Sequence, residues 1–450
     1  MKKINHFSNE ELPVLASITE AFPLEEVTCL ESIAFVCVQH LLFTTLNLMD
    51  ALIQLGVYPD NIHIMGKPYS TCLQVVNKLT ARGCHYYPNS LQKKVGGFSE
   101  CFAKDIEHMW HEVNNDLKKK KIKLVVILDD GGNCLANVPN YISKKYSLVG
   151  IEQTRSGLTD LDVRQLSFPV IEVASSAAKQ LVESPMIAEA VVKKLSKILP
   201  MSQSKLSCGV VGIGAIGNVI IQKLLSLNHE VITYDKDKEK GEIFFKNLCT
   251  VDIKTLFSKA EYIFGCVGED ITQNLKIEDI NTNKTFISCS SQDKEFLTLL
   301  KRFEEQNCNY DNVLDHLECS FNANTVRIYR GGFPINLDNS GESVAAHDIQ
   351  LTRGLLLGGV LQGIVYATQY PKQENKRYML HPAIQSFVVA HWMKYGSIFL
   401  IPPHILAGFQ DLEWVKRHSQ GTEQENELIA QSFHYENFSI KVPILMSNYG

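Results

Sequence analysis

None of the 12 cysteines forms a Cys-x-x-Cys pair, no apolar run is long enough to span a bilayer, and basic charge is not in excess. The cysteine pattern argues against a zinc ribbon and against a disulfide framework, and for a reducing cytoplasm. Without a long apolar run there is no candidate transmembrane helix. The opening MKKINHFSNEELPVLASITEAF carries two lysines but no apolar h-region, so it does not read as a secretion signal. Lys+Arg is 44 against 49 for Asp+Glu, a net charge of -5, and this excludes a polyanion-binding surface as the main theme. The run KKKKIK from Lys118 reads as a solvated face beside a strand. No His/Cys/Asp/Glu spacing suggests a metal, and Tyr378, His381, His391 and His404 read as packing or surface residues.

What is present is a globular composition, 45% hydrophobic and 21% charged, in a chain of 450 residues. That length exceeds one ordinary core and predicts two domains. Strand-like and helix-like runs alternate, which is the α/β pattern. SIAFVCV, NIHIMG and KLVVILDDGG read as strands. LLFTTLNLMDALIQLG and STCLQVVNKLTARG read as helices between them. FPVIEVASSAAKQLVES carries strand into helix. SPMIAEAVVKKLSKIL is a further helix, with Ser184 as its expected cap and Pro185 at its first position. The polar PMSQSKLS then leads into a second unit.

That unit opens CGVVGIGAIGNVIIQKLLSLNHEVITYD. Gly212, Gly214 and Gly217 form G-x-G-x-x-G between a strand and a helix, with Ile216 in the first turn, and Asp235 ends the next strand. This is the dinucleotide context of a Rossmann unit. The glycines allow the tight turn, the approach of a pyrophosphate to the helix N-terminus, and close helix–strand packing. Asp235 would accept from the adenosine ribose hydroxyls, which favours NAD. Later strands, AEYIFGCVG with Gly268 at its end and KTFISCSS, continue the sheet.

The strand KLVVILDDGG stops on Asp129 and Asp130. At the carboxyl end of a parallel strand such acids either face a ligand or cap the next helix. With LPVLASITEAF, PYST, LDDGGN, IEQTRSG, FPVIEVASSAAK and PINL, in that order, the chain resembles the S-adenosylhomocysteine hydrolase family from about Leu12 to about Ala367. The resemblance implies a split α/β catalytic domain, residues 1–183 and 347–450, with an inserted Rossmann NAD-binding domain, residues 184–346. It implies tightly held NAD, transient oxidation of a ribosyl 3′-hydroxyl, elimination and hydration at the 5′ position, and a homodimer or homotetramer. His40, Asp130, Lys179 and Glu183 fall on catalytic positions, Thr154 on a nicotinamide contact and Asn336 on a carboxamide contact. Gln153 replaces a carboxylate on the ribose, and an amide cannot act as a base. Leu42 and Thr44 replace groups that hold the purine, and Ser291 falls on a loop histidine. Glu342 or His347 stands near the loop that closes over the base. The redox half is kept and the base-recognition half is rewritten. A small nucleoside-like substrate is therefore expected. A dehydrogenase or epimerase on another hydroxyl compound and a non-catalytic NAD-binding regulator are the alternatives.

Overall fold

The computed structural model describes residues 12–22, 29–89, 97–162, 167–199, 205–239, 248–249, 252–290, 292–306, 308, 314–338, 340–369 and 377–419. The fold is α/β, built on two sheets dominated by parallel strands, as the alternation of elements implies. The first sheet contains β1 (Ile33–Leu41), β2 (Ile62–Thr71), β3 (His85–Tyr87), β4 (Leu124–Asp129), β5 (Ser147–Glu152) and β6 (Val170–Glu172). The second contains β7 (Ser207–Val211), β8 (Glu230–Tyr234), β9 (Tyr262–Gly265), β10 (Lys284–Ser288), β11 (Leu317–Phe321) and β12 (Asn324–Ile328). After the second sheet the chain returns, and β13 (Arg377–Met379) joins the edge of the first.

The first sheet has the order β13-β6-β5-β4-β1-β2-β3, and every adjacent pair is parallel. Its strands are buried on both faces, which explains the continuous apolar runs. Phe35, Cys37 and Leu41 of β1 enter one core, while Ala34, Val36 and Val38 enter the other. The first core is closed by the apolar helix Ala346–Gln369, which packs across β4, β5 and β6. The second is closed by the helix Phe98–Leu117. Its Phe98, Phe102, Ile106, Met109, Val113 and Leu117 recur every three or four residues and are all buried.

The chain lays down β1, β2 and β3 to one side, then returns to lay β4, β5 and β6 on the other side of β1. The strand order therefore reverses between β1 and β4. The second sheet, β11-β12-β10-β9-β7-β8, reverses in the same way between β7 and β9. Ligands of open parallel sheets bind outside the carboxyl ends of the strands at such points. The fold thus offers two crevices, one after His40 and Asp129 and one after Val211 and Gly265.

Two expectations change. Ser184 does not cap a helix: it is helical (φ −55°, ψ −41°), and its amide donates to the Lys179 carbonyl, closing a wide i→i+5 turn over Lys179–Glu183 that runs straight into the helix Ser184–Ile198. Cys308 and Cys319 are joined in a disulfide across a separation of 11 residues, a pairing that the reading against a disulfide framework did not anticipate. Most of PMSQSKLS, Ser291 and the C-terminal PILMSNYG lie outside the described residues.

Candidate functional site

The first crevice gathers residues from several segments. Val38 of β1 lies in register with Asp129 of β4, and the Asp130 amide donates to the Val38 carbonyl. This pairing brings His40 beside Asp130, with Nε2 3.5 Å from Oδ2. The Asp-Asp-Gly-Gly turn needs its glycines: Gly131 has φ +102° and Gly132 φ +72°, where other residues are strained. Asp129 turns back, and its carboxylate accepts from the Leu135 amide at 2.9 Å. Asp130 instead ion-pairs with Lys67, a fully buried lysine on β2. His40 Nδ1 contacts the Ser70 hydroxyl, and the Tyr69 ring stands edge-on to the imidazole.

These contacts set the charges. Burial alone would raise Asp130, but Lys67 and then His40 overcome it and hold the carboxyl well below the usual range. Burial pushes His40 down to about 3, against the pull of Asp130 and with help from Lys67, Arg353 and Lys179. At neutral pH the crevice therefore holds an anionic Asp130 and a neutral imidazole. Burial also raises Asp129 to about 7 and lifts Glu152 well above its usual value. Glu152 ties the two motifs together: it accepts from the amides of Gly131, Gly132 and Thr154 and from the Thr154 hydroxyl.

Lys179 ion-pairs with Glu183 inside the wide turn. Such turns recur at functional sites because they re-aim side chains out of the helical rows. The positive charge of Lys179 acts on both His40 and Asp130, lowering each. From the second unit, Gln292 reaches the same place: a Cβ added to Gly131 would stand 3.1 Å from Lys67 Nζ and 3.3 Å from Gln292 Nε2. Gln153 is buried beside β5, and its Oε1 has no partner among the described residues. Glu342 accepts from the Thr44 amide, and Arg353 Nε donates to the Thr44 hydroxyl at 3.1 Å. His347 lies apart, 3.4 Å from both Ser397 and Asp348, and is not brought to the set around Asp130. Tyr378 is buried against Tyr366, and His381 accepts from Ala383 to open the helix Pro382–Trp392. Among the described residues no group of His, Cys, Asp or Glu is placed to hold a metal, and no helix is long and apolar enough to cross a membrane.

Lys67, Ser70, Glu152, Gln292 and Arg353 were not anticipated from sequence. Two of them carry a signal in retrospect. Lys67 shares its strand face with Met65 and Tyr69, both core residues. Arg353 interrupts the apolar run of a buried helix. A lone cation on an apolar face needs a buried counter-charge.

The second crevice fits a dinucleotide. A Cβ on Gly217 would overlap the Gly212 carbonyl oxygen, so helix and strand pack at glycine distance. A Cβ on Gly214 would meet nothing within 4 Å, leaving the backbone open to a phosphate at the start of the helix Ala215–Ser226. Asp235 stands at the end of β8 and accepts from the Ile213 amide at 2.6 Å. It lines a cavity of about 140 Å³ whose walls are part apolar, from Val211, Ile253, Val267 and Ile271, and part polar, from Lys236, Glu269 and Asp270. Gly268 has φ +74° and donates to the buried Glu295. The Thr154 hydroxyl is engaged by Glu152, and Asn336 sits half-buried in the turn after the second sheet.

No family model matches the chain. Two uncharacterized Mycobacterium tuberculosis proteins, Rv0104 and MT0113, are each 29% identical over 346 residues, which is 75% of this chain. The chain spans 65% of the length of these curated relatives. Among solved structures, NAD+-bound 3-phosphoglycerate dehydrogenase from Entamoeba histolytica aligns with 75% of this chain and 96% of its own, at 8% identity and a TM-score of 0.38. The A chain of dipicolinate synthase from Bacillus subtilis aligns with 75% and 98%, at 11% identity and a TM-score of 0.37. Neither bears on substrate.

Proposed function

We propose that the protein is an NAD-dependent oxidoreductase that removes a hydride from a secondary hydroxyl of a small ribosyl-type substrate. What supports the reading is the pairing of His40 with Asp130 and of Lys179 with Glu183, together with Gln292 of the glycine-loop unit beside the Gly131 turn. The chemistry supplied by bound NAD is reversible hydride acceptance. Gly212, Gly214, Ile216 and Gly217 would hold its pyrophosphate, Asp235 its adenosine ribose, and Gly268, Thr154 and Asn336 its other half.

Lys179 with Glu183 takes the hydroxyl proton as the hydride leaves. The resulting ketone acidifies the neighbouring C–H, and the neutral His40 imidazole beside anionic Asp130 accepts that proton. Loss of a 5′ leaving group, addition of water and return of the hydride complete an adenosylhomocysteinase-like cycle with no net redox change. The second reading is a net dehydrogenase or epimerase, favoured by the altered residues Gln153 and Thr44. The two separate in one assay on NAD-loaded protein. Leaving-group release without free NADH supports the cycle, and accumulation of free NADH supports the dehydrogenase. NAD that binds but never takes up a hydride from any hydroxyl compound would leave a regulator and end both.

A further inference from the structure

The strands β9 and β10 run parallel, with Phe264 beside Ile287 and Gly265 beside Ser288. One step further along that register stand Cys266 and Cys289. The Cys289 amide donates to the Gly265 carbonyl at 2.9 Å, so the ladder still holds where the two cysteines leave it. Side chains alternate between the faces of a strand, and Phe264, Cys266, Ile287 and Cys289 all join the core that packs under the helix Ala215–Ser226. The two thiols therefore share one face, on neighbouring strands about 4.8 Å apart. A disulfide needs Cα atoms about 4.4–6.8 Å apart. Both cysteines are free; Cys289 is buried and Cys266 is partly exposed.

Cys266 backs onto the glycine turn. A Cβ on Gly217 would stand 3.5 Å from the Cys266 Cβ, and one on Gly212 would stand 3.0 Å from the Cys266 carbonyl oxygen. Val267, the next residue, donates its amide to Glu295 at 2.8 Å and lines the cavity beside Asp235. After Cys289 the chain carries Gln292 to the Gly131 turn. The pair thus sits at the roots of two loops, one against the dinucleotide turn and one reaching the first crevice. A disulfide draws its two Cβ atoms to about 3.8 Å, which moves Cys266 against the glycine turn. A shift of about 1 Å in a positioning element can cost about 10²-fold.

We propose that Cys266 and Cys289 form a dithiol switch on NAD binding, closed by exchange with a small-molecule disulfide. A Cys266 thiolate attacks one sulfur of the small disulfide, forming a mixed disulfide and releasing one thiol. Cys289 then displaces the second thiol, and the Cys266–Cys289 bond forms. The protein pair loses two electrons and two protons, and the small disulfide gains them as two thiols. The Cys289 thiol, followed by burial, pushes the Cys266 thiol well up, so thiolate is scarce and exchange at neutral pH is slow. Linkage makes the effect reciprocal: a bond that loosens NAD is itself opposed by bound NAD. The proposal rests on the dinucleotide reading of the glycine turn.

The test equilibrates full-length protein in glutathione buffers of stepped potential, with and without saturating NAD. Mass spectrometry of tryptic peptides separates a Cys266–Cys289 link from Cys308–Cys319, and calorimetry reads NAD affinity in each state. Closing the link is expected to weaken NAD binding at least about tenfold, and saturating NAD to make its midpoint less negative by the equivalent of about 30 mV or more. Cys266→Ser should bind NAD as the reduced native protein does, in every buffer. Three results overturn the switch and leave the dinucleotide reading standing. They are no link in the most oxidising buffer, a link that changes neither affinity nor midpoint, and an oxidative loss of affinity that persists in Cys266→Ser. Reduced native protein that fails to bind NAD overturns the dinucleotide reading, and the switch with it.

Discussion

Asp130 and Lys67 show how far one ion pair constrains this site. Both are buried, and each is tolerable only because of the other. Asp130→Asn strands the ammonium and should lower stability by about 3–5 kcal/mol in urea unfolding. Replacing both partners, Lys67→Met with Asp130→Leu, should recover most of that loss while activity stays absent. If Asp130→Asn unfolds at the native urea concentration, the pair is not the buried lock described. Lys179 makes a different prediction, because it lies on the wide turn with its partner four residues on. Lys179→Met should slow hydride transfer by about 10²–10⁴-fold while NAD stays bound, checked by single-turnover absorbance beside NAD titration. His40, Asp130, Lys179 and Glu183 were expected from the family resemblance, and the structure pairs His40 with Asp130 and Lys179 with Glu183. Lys67 and Arg353 were missed: each breaks an apolar face, but a lysine in a strand and an arginine in a helix pass for surface residues until the neighbours that bury them are known.

The glycine turn between β7 and the helix Ala215–Ser226 separates packing from binding at the scale of one element. Gly217→Ala would drive a methyl into the Gly212 carbonyl, so it should destabilise the whole second unit. Gly214→Ala meets no protein atom within 4 Å, so thermal stability should hold while NAD affinity falls at least about tenfold, the methyl occupying the phosphate's approach. Equal NAD affinity in Gly214→Ala and native protein would contradict a pyrophosphate at that turn. The central strands β1, β2, β4 and β7 to β10 were legible because apolar runs end on Gly and Asp punctuation, whereas β3, β5, β11, β12 and β13 were not read as strands. The wide turn at Lys179 was not, because serine followed by proline carries the usual signature of a helix start and the competing i→i+5 hydrogen bond leaves no mark in composition. The Cys308–Cys319 bond was equally hidden, since pairing depends on which loops the topology brings together.

Across the whole molecule, the alternation of elements indicated an α/β fold, but the strand-order reversals and the motifs that end on them required the folded order of strands. Burying carboxyls beneath the first crevice has a consequence for pH. Asp129 is raised to about 7, chiefly by burial and against the Leu135 amide and Lys67. Its folded-state value exceeds the unfolded one of about 3.9, so the folded protein holds the proton more tightly. That contribution is complete below the unfolded value and is lost as pH rises through the folded one. Stability should therefore fall between about pH 4 and pH 7, by at most about 1.4 kcal/mol per unit from this group. Asp129→Asn should flatten that decline in denaturant titrations at several pH values. An unchanged slope would show that Asp129 does not carry it.

The most direct test follows one hydrogen. NAD-loaded protein would be mixed with a nucleoside deuterated at the 3′ carbon, and the bound cofactor examined by mass spectrometry. Deuterium on the cofactor is the predicted result, with loss of that transfer in Lys179→Met. A cofactor that remains unlabelled with every nucleoside tried, in protein shown to hold NAD, would contradict oxidation of a ribosyl hydroxyl in this crevice.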